Sequence, residues 1–579
     1  MIALFRRYLR PYALQVAVVL VLLLIQALGN LYLPDLNADI IDNGVVKGDT
    51  EYILRVGGLM LAVTAVLGVA AVIGVYLSAR VAMGFGRDVR RAVFATVETF
   101  SEVEVNRFGP ASLITRNTND VQQVTIVVFM GLTLLVSAPI LIIGGIIMAI
   151  RTDAELSGLL LVVLPLMALF IGLIMSRAIP LFRATQTKLD RINQVMRETL
   201  SGVRVIRAFV RTRHEETRFE TASRDLFDTQ LQVGRLFALT IPVMTAILNL
   251  STVAVMWFGA IRVADGAMQI GNLTAFLQYL LQILFATLTA VFMFILIPRG
   301  AVSSGRINEV LGTEPSIHDP ATPTEPTDPA QRGVVEFRGV EFRYPGAEAP
   351  VLHDLSFRAG RGEITAIVGS TGSGKTTLIN LIPRFYDATA GSVLVDGVDV
   401  RERERDVLWT RVAMVPQKAF LFAGTVASNL RFGDADASEE DLWQALTTAQ
   451  GRDFVVAMPE GLDSPITQGG SNVSGGQRQR LAIARALVRR ADIVVFDDSF
   501  SALDVATDAR LRAALADQLQ DTTVIIVAQR VATIMRADRI IVLDGGRIVG
   551  MGTHRELLES NDTYREIVFS QLSESEAAA

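Results

Sequence analysis

The sequence predicts an α-helical membrane domain of six spans followed by a soluble α/β domain. Three observations predict it. Six long stretches are apolar and free of charge in their interiors, a proline-rich polar segment follows them, and the remainder alternates short apolar strands with helices.

The 579 residues are too many for one hydrophobic core, so at least two domains are expected. Hydrophobic residues make up 51% of the chain, and its mean hydropathy of +0.40 is high for a soluble protein. A membrane part joined to a soluble part fits both values. The net charge of −5 says little about partners, because basic and acidic residues sit in different places; no nucleic-acid partner is expected. With no cysteine, disulfides, thiol catalysis and thiolate metal sites are excluded. Four histidines without a close His/Asp/Glu cluster give no reason to expect a structural metal site. The amino-terminal arginines precede an apolar run as in a signal peptide. No small-residue cleavage site ends that run, so it reads as a retained first span.

A helix needs about 20 apolar residues to cross a bilayer. The stretches 13–33, 57–78, 124–150, 156–176, 236–261 and 273–298 meet that length. Arg6, Arg7 and Arg10 precede span one, while the loop after it is acidic (Asp35, Asp39, Asp42, Asp49, Glu51). Arginines crowd the connections after spans two and four. The positive-inside rule therefore puts both ends of the membrane domain, and the soluble domain, in the cytoplasm. Residues 80–104 and 186–227 are rich in helix formers and extend the spans beyond the bilayer. Turns are expected at their far ends, over 106–119 and 202–213. The prolines of 311–332 mark a stiff linker. The expected organisation is thus a membrane domain over 1–310, the linker over 311–332, the soluble domain over 333–571 and a tail over 572–579.

The soluble half carries the chemistry. Gly369, Ser370, Thr371, Gly372, Ser373, Gly374, Lys375, Thr376 and Thr377 form a glycine-rich loop between an apolar strand and a helix. That setting is what a phosphate-binding P-loop requires. Backbone N–H groups cradle the phosphates of ATP, Lys375 reaches the β- and γ-oxygens, and the Thr376 hydroxyl ligates Mg2+. A second apolar strand ends in Asp497, placed to hold Mg2+ through water.

With these motifs the whole chain resembles the ABC transporters of the exporter type, in which six spans precede one P-loop NTPase domain. The run VSGGQRQRLAIARAL at 473–487 is similar to the family's signature helix, although alone it also reads as a glycine-capped amphipathic helix. The resemblance implies that Ser474, Gly475, Gly476 and Gln477 face the γ-phosphate of an ATP held by a second half-transporter. It further implies that Tyr344 stacks on adenine, that Gln417 senses Mg2+ and that Asp504 closes the D-loop. Segments 108–121 and 198–209 resemble the family's coupling segments.

Two catalytic positions depart from the family pattern. Asp498 stands where a glutamate base is usual, and Gln529 replaces the switch histidine. Aspartate sets its carboxylate back by about 1 Å, a displacement that can cost roughly 100-fold in rate. Glutamine can bond a phosphate oxygen but carries no charge. The expectation is a site that binds ATP and hydrolyses it weakly, in a heterodimer whose partner holds the competent P-loop. The spans carry polar groups (Gln15, Gln26, Asn30, Asn249, Gln278, Gln282) and bulk (Trp257, Phe285, Phe292, Met293, Phe294) but no charge. That suits export of a hydrophobic or amphipathic compound beside membrane lipid. Open alternatives are import of a siderophore or lipid, a homodimer, and a regulatory or channel-type protein. Arginine in excess over lysine points to a bacterial inner membrane.

Overall fold

The computed structural model describes residues 1–573 and 577, with the backbone alone over 291–296. Phe292, Met293 and Phe294, named above as apolar bulk, therefore lie outside the described side chains. The chain separates into two compact units. One comprises Met1–Glu98 and Ala111–Thr313, the other Thr99–Pro110 and Glu314–Ala579.

The first unit is helical. Six of its segments are long and apolar enough to cross a membrane: Arg10–Val45, Thr50–Glu98, Pro110–Thr152, Leu156–Ser201, Thr212–Ala264 and Ile270–Ala290. The last belongs to a helix that runs on from Ile270 to Leu311. Small residues let these helices approach closely, as lipid supplies no hydrophobic drive between them. A Cβ on Gly144 would come within 2.3 Å of Leu31, and one on Gly145 within 2.7 Å of Ile283. Pro34 sits inside the first span helix, Ala13–Asp39. It has no N–H to give the carbonyl of Asn30 four residues back, and Gln282 Nε2 of span six donates to that oxygen instead at 2.9 Å. Beside it, the Tyr279 hydroxyl donates to the Leu31 carbonyl at 3.1 Å.

Of the turn expected over 106–119 only a break at Gly109 is present, and a second break lies upstream, at 99–101. The helix of span two ends at Glu98, a short helix covers Glu102–Phe108, and helix resumes at Pro110. A capping box explains the start: Ser101 accepts from Val103 N, and Glu104 reaches back to Ser101 N. Gly109, at φ 75, ends it. This short helix is part of the second unit. Val103 packs into that unit's core, and Glu104 accepts from Ser316 N at 3.1 Å. In the first unit, a helix over Val203–Ala208 occupies the second expected turn, with Val205 and Phe209 exposed.

The second unit holds two main sheets. One has six strands in the order Arg547–Gly552, Arg539–Asp544, Ile364–Gly369, Thr523–Val527, Ile493–Asp497 and Val412–Val415. All but the first pairing are parallel. Their continuous Val/Ile runs are buried on both faces, as a parallel sheet requires. The other sheet is antiparallel, in the order Leu352–Ala359, Val335–Phe342, Ala390–Val395 and Val398–Asp399. The proline-rich stretch lies against this unit, where Asp319 accepts from Arg405 N at 3.1 Å and Thr324 N donates to the Glu402 carbonyl at 2.8 Å.

Candidate nucleotide site

In a parallel sheet, loops at the carboxyl ends of neighbouring strands converge. Strand Thr523–Val527 pairs with both Ile364–Gly369 and Ile493–Asp497, and sets Val527 opposite Ile367 on one side and Asp497 on the other. The P-loop, Asp497–Asp498 and Gln529 therefore share one edge.

Gly372 and Gly374 adopt φ 84 and 97, backbone that a side chain would strain, and so let the loop curl. Lys375 Nζ bridges the loop, donating to the carbonyls of Gly369 and Ser370 at 2.9 and 2.7 Å and to Ser373 Oγ at 3.4 Å. Burial lowers the lysine's pKa, although Asp498 and Asp497 pull it upward. The Thr376 hydroxyl lies 3.1 and 3.2 Å from the two carboxylate oxygens of Asp497. Burial raises the Asp497 pKa, with the Thr376 bond opposing and Asp498 reinforcing the shift.

These residues fit Mg·ATP. A buried carboxylate held above its ordinary range, with a hydroxyl alongside, is a pair of hard oxygens short of positive charge, which suits Mg2+. When bound, the ion would neutralise phosphate charge, with Thr376 and Asp497 holding it and Lys375 free to leave the loop carbonyls for phosphate oxygens. Tyr344 is half-buried beside Phe342 and Tyr386 in edge-to-face contacts, and its hydroxyl lies 2.9 Å from Thr377 Oγ1.

Asp498, Gln417 and Gln529 meet. Both glutamines donate from Nε2 to the same oxygen, Asp498 Oδ2, at 3.2 Å from Gln417 and 3.0 Å from Gln529. Asp498 is 8% exposed and has φ 44, a left-handed conformation rare for a non-glycine residue. Its N–H donates to the Val527 carbonyl at 2.9 Å, and its own carbonyl accepts from Ser501 Oγ at 2.9 Å. Two further residues that the sequence did not single out support the site. Buried Ser499 donates to the Val415 carbonyl at 2.9 Å, fixing the strand end that leads to Gln417. Gln571 clamps the switch segment, donating to the Gln529 carbonyl at 2.8 Å and accepting from Val531 N at 2.9 Å.

The 473–487 segment stands apart from this cluster. Ser474 caps the helix Gly475–Val488 by accepting from Gln477 N at 3.2 Å, and Gln477 Oε1 accepts from Ser474 N at 2.9 Å. A Cβ on Gly475 would meet nothing within 4 Å; one on Gly476 would lie 3.3 Å from the Ala502 carbonyl. Asp504 caps the next helix through Thr507 N. In the membrane unit, Gln26, Asn30, Gln282 and Phe285 line one cavity, whereas Gln15, Asn249, Gln278 and Trp257 do not.

Fold and site together define a P-loop ATP-binding domain carried by a multi-pass membrane protein. Residues 16–288 match the ABC transporter transmembrane region, and residues 352–501 the ABC transporter domain. The chain belongs to the ABC transporters, as a half-transporter with its nucleotide-binding domain in the cytoplasm. It is 50% identical over 574 residues to an uncharacterized ABC transporter ATP-binding protein of Mycobacterium tuberculosis, covering 99% of this chain and 98% of the relative. It is 32% identical over 543 residues to an ATP-dependent lipid A-core flippase of Chromobacterium violaceum, covering 93% of this chain and 91% of that one. A solved bacterial Atm1-family ABC exporter with ATP bound shares its fold, with a TM-score of 0.79 at 24% identity over 99% of both chains.

Proposed function

We propose that this chain is the hydrolysis-impaired half of a heterodimeric exporter for a hydrophobic or amphipathic compound. It binds Mg·ATP at its own P-loop, turns it over slowly, and completes a competent site on its partner with Ser474, Gly475, Gly476 and Gln477.

The observation that carries this reading is the closed Asp498 cluster. A general base must reach the water it activates. Here the carboxylate is one methylene short and engaged by two amides. Gln529 commits one of its two amide N–H donors to Asp498, and carries no charge to offer a phosphate oxygen with the other. ATP binding rests on Lys375, Thr376 and Asp497, which this shortening leaves untouched. The lipid A-core flippase relatives favour a lipid-like cargo.

The test is ATPase activity in nanodiscs, comparing this chain alone with its complex with the half-transporter encoded beside it. Turnover is expected only from the pair, and Asp498→Ala in this chain should leave most of it. A dimer of this chain alone whose activity dies with Asp498→Ala would overturn the reading.

A further inference from the structure

The first helix, Ile2–Tyr8, is fixed to the helix of span two along one side. Leu4 is buried, and the rings of Phe5 and Tyr8 both meet buried Phe85 edge-on, at 5.8 and 6.5 Å between centroids. The Tyr12 hydroxyl completes the attachment by donating to Asp88 Oδ2 at 2.8 Å. The other side of the helix carries a different chemistry. Ile2, Ala3, Arg6, Arg7 and Arg10 recur at helical spacing and line a surface concavity of about 750 Å³, with no carboxylate among them. All three arginines are exposed. Among the described residues none of the three has a hydrogen-bond or ion-pair partner, and Arg7 lies over the Tyr8 ring, 5.4 Å from its centroid. Nearby Arg87, by contrast, is paired with Asp88 at 2.9 Å. Three cations on one short stretch repel one another, and an anion among them would relieve that repulsion.

The positive-inside rule sets this helix at the cytoplasmic end of span one, where anionic headgroups attract basic residues next to a span. Ile2 in the concavity and Leu14 at the start of span one are 82% and 78% exposed, so apolar surface flanks the charges along the chain. We infer that this concavity binds the headgroup phosphate of an anionic phospholipid of the cytoplasmic leaflet, held by the guanidinium groups of Arg6, Arg7 and Arg10. This goes beyond the transport reading above and does not depend on it. Guanidinium suits the task, because its planar fork gives a phosphate two parallel hydrogen bonds where an ammonium gives a point charge. A zwitterionic lipid brings a cation of its own against the arginines and binds less well. The attachment to Phe85 and Asp88 holds the helix before lipid arrives, so little order is lost on binding.

The test uses the full chain in phosphatidylcholine nanodiscs doped with a photoactivatable phosphatidylglycerol, with crosslinked peptides mapped by mass spectrometry. Saturable labelling of the segment from Ile2 to Leu14 is expected, blocked by unlabelled phosphatidylglycerol but not by added phosphatidylcholine or inorganic phosphate. Arg6→Gln, Arg7→Gln and Arg10→Gln together should cut it about tenfold or more. Lysine at the same three positions keeps the charge that orients span one but loses the fork, so labelling should fall about threefold. Arg177→Gln, Arg183→Gln and Arg191→Gln remove as much charge from another cytoplasmic segment and should leave labelling within about twofold. Retained ATP binding shows that each variant is folded. Labelling unmoved by the glutamine triple, or lost equally in the charge-matched control, would overturn the inference. So would full labelling of the lysine triple, which would reduce the site to a diffuse field. Equal competition by phosphatidylcholine, or by inorganic phosphate as at a soluble-anion site, would overturn it as well.

Discussion

The P-loop edge and the signature edge of the second unit are finished to different degrees. At the P-loop edge the polar groups are already spoken for within the chain. Asp497 is bonded to Thr376, Asp498 to two glutamines, and Lys375 to the loop's own carbonyls. At the signature edge the Ser474 and Gln477 side chains, among the described residues, bond to each other's backbone N–H, and Gly475 faces open space. An edge engaged in this way, with both amides on Asp498 Oδ2, can hold a nucleotide and, on the proposed reading, activates water poorly. On the proposed reading, the open edge receives a phosphate from outside the chain. The contrast then separates binding from hydrolysis, with this chain's larger contribution to turnover at the signature edge.

The most disruptive way to probe that contrast is Gly475→Asp, which sets a carboxylate into the open space. ATPase activity of the pair should fall about 100-fold or more, by loss of phosphate-facing donors and like-charge repulsion, while this chain still binds ATP. Undiminished turnover would break the comparison. The next effect runs the other way. In a pair whose partner P-loop is disabled, Asp498→Glu with Gln529→His should raise residual turnover about 10- to 100-fold, since the carboxylate regains its reach. No gain would show that the left-handed backbone at 498, rather than side-chain length, limits the site.

A smaller effect concerns acidity. Burial, ahead of every other influence, holds the Asp497 pKa above the ordinary aspartate value. As pH falls, this group takes up its proton earlier than an exposed aspartate, so Mg2+-dependent ATP affinity should begin to drop at a higher pH. The fall approaches tenfold per pH unit below that pKa, and titrating affinity with and without Mg2+ checks it. Asp497→Asn should remove the dependence along with most Mg2+ affinity. Gln571→Ala is the mildest probe, freeing the Gln529 carbonyl and the Val531 N–H and changing turnover of the pair less than about threefold.

Six spans and the P-loop are legible in the sequence because their signals are local: a run of apolar residues, or a loop between strand and helix. What eluded the sequence depends on distance or on competing local rules. Gln417 and Gln529 lie 81 and 31 residues from Asp498, and only the strand order of the parallel sheet brings their amides to one oxygen. Gln571 has no motif around it and reaches Gln529 from the far end of the unit. The upstream break at 99–101 was signalled by Ser101, three residues before Glu104, and the one at Gly109 by the Gly109–Pro110 pair. The helical composition of 80–104 masked that capping box. Pro34 and Gln282 are each readable as ordinary packing residues; their partnership depends on spans one and six lying side by side.

The excursion of Thr99–Pro110 into the second unit means that the ATP-binding body is assembled from two separated stretches of sequence. A gene fragment cut at the linker would therefore yield an unfinished object. Ser316 N would lose the Glu104 carboxylate, and the apolar patch beneath Val103 would meet water. Supplied separately, the twelve-residue piece from 99 to 110 would be a candidate complement for that fragment, turning a structural detail into a handle for reconstitution.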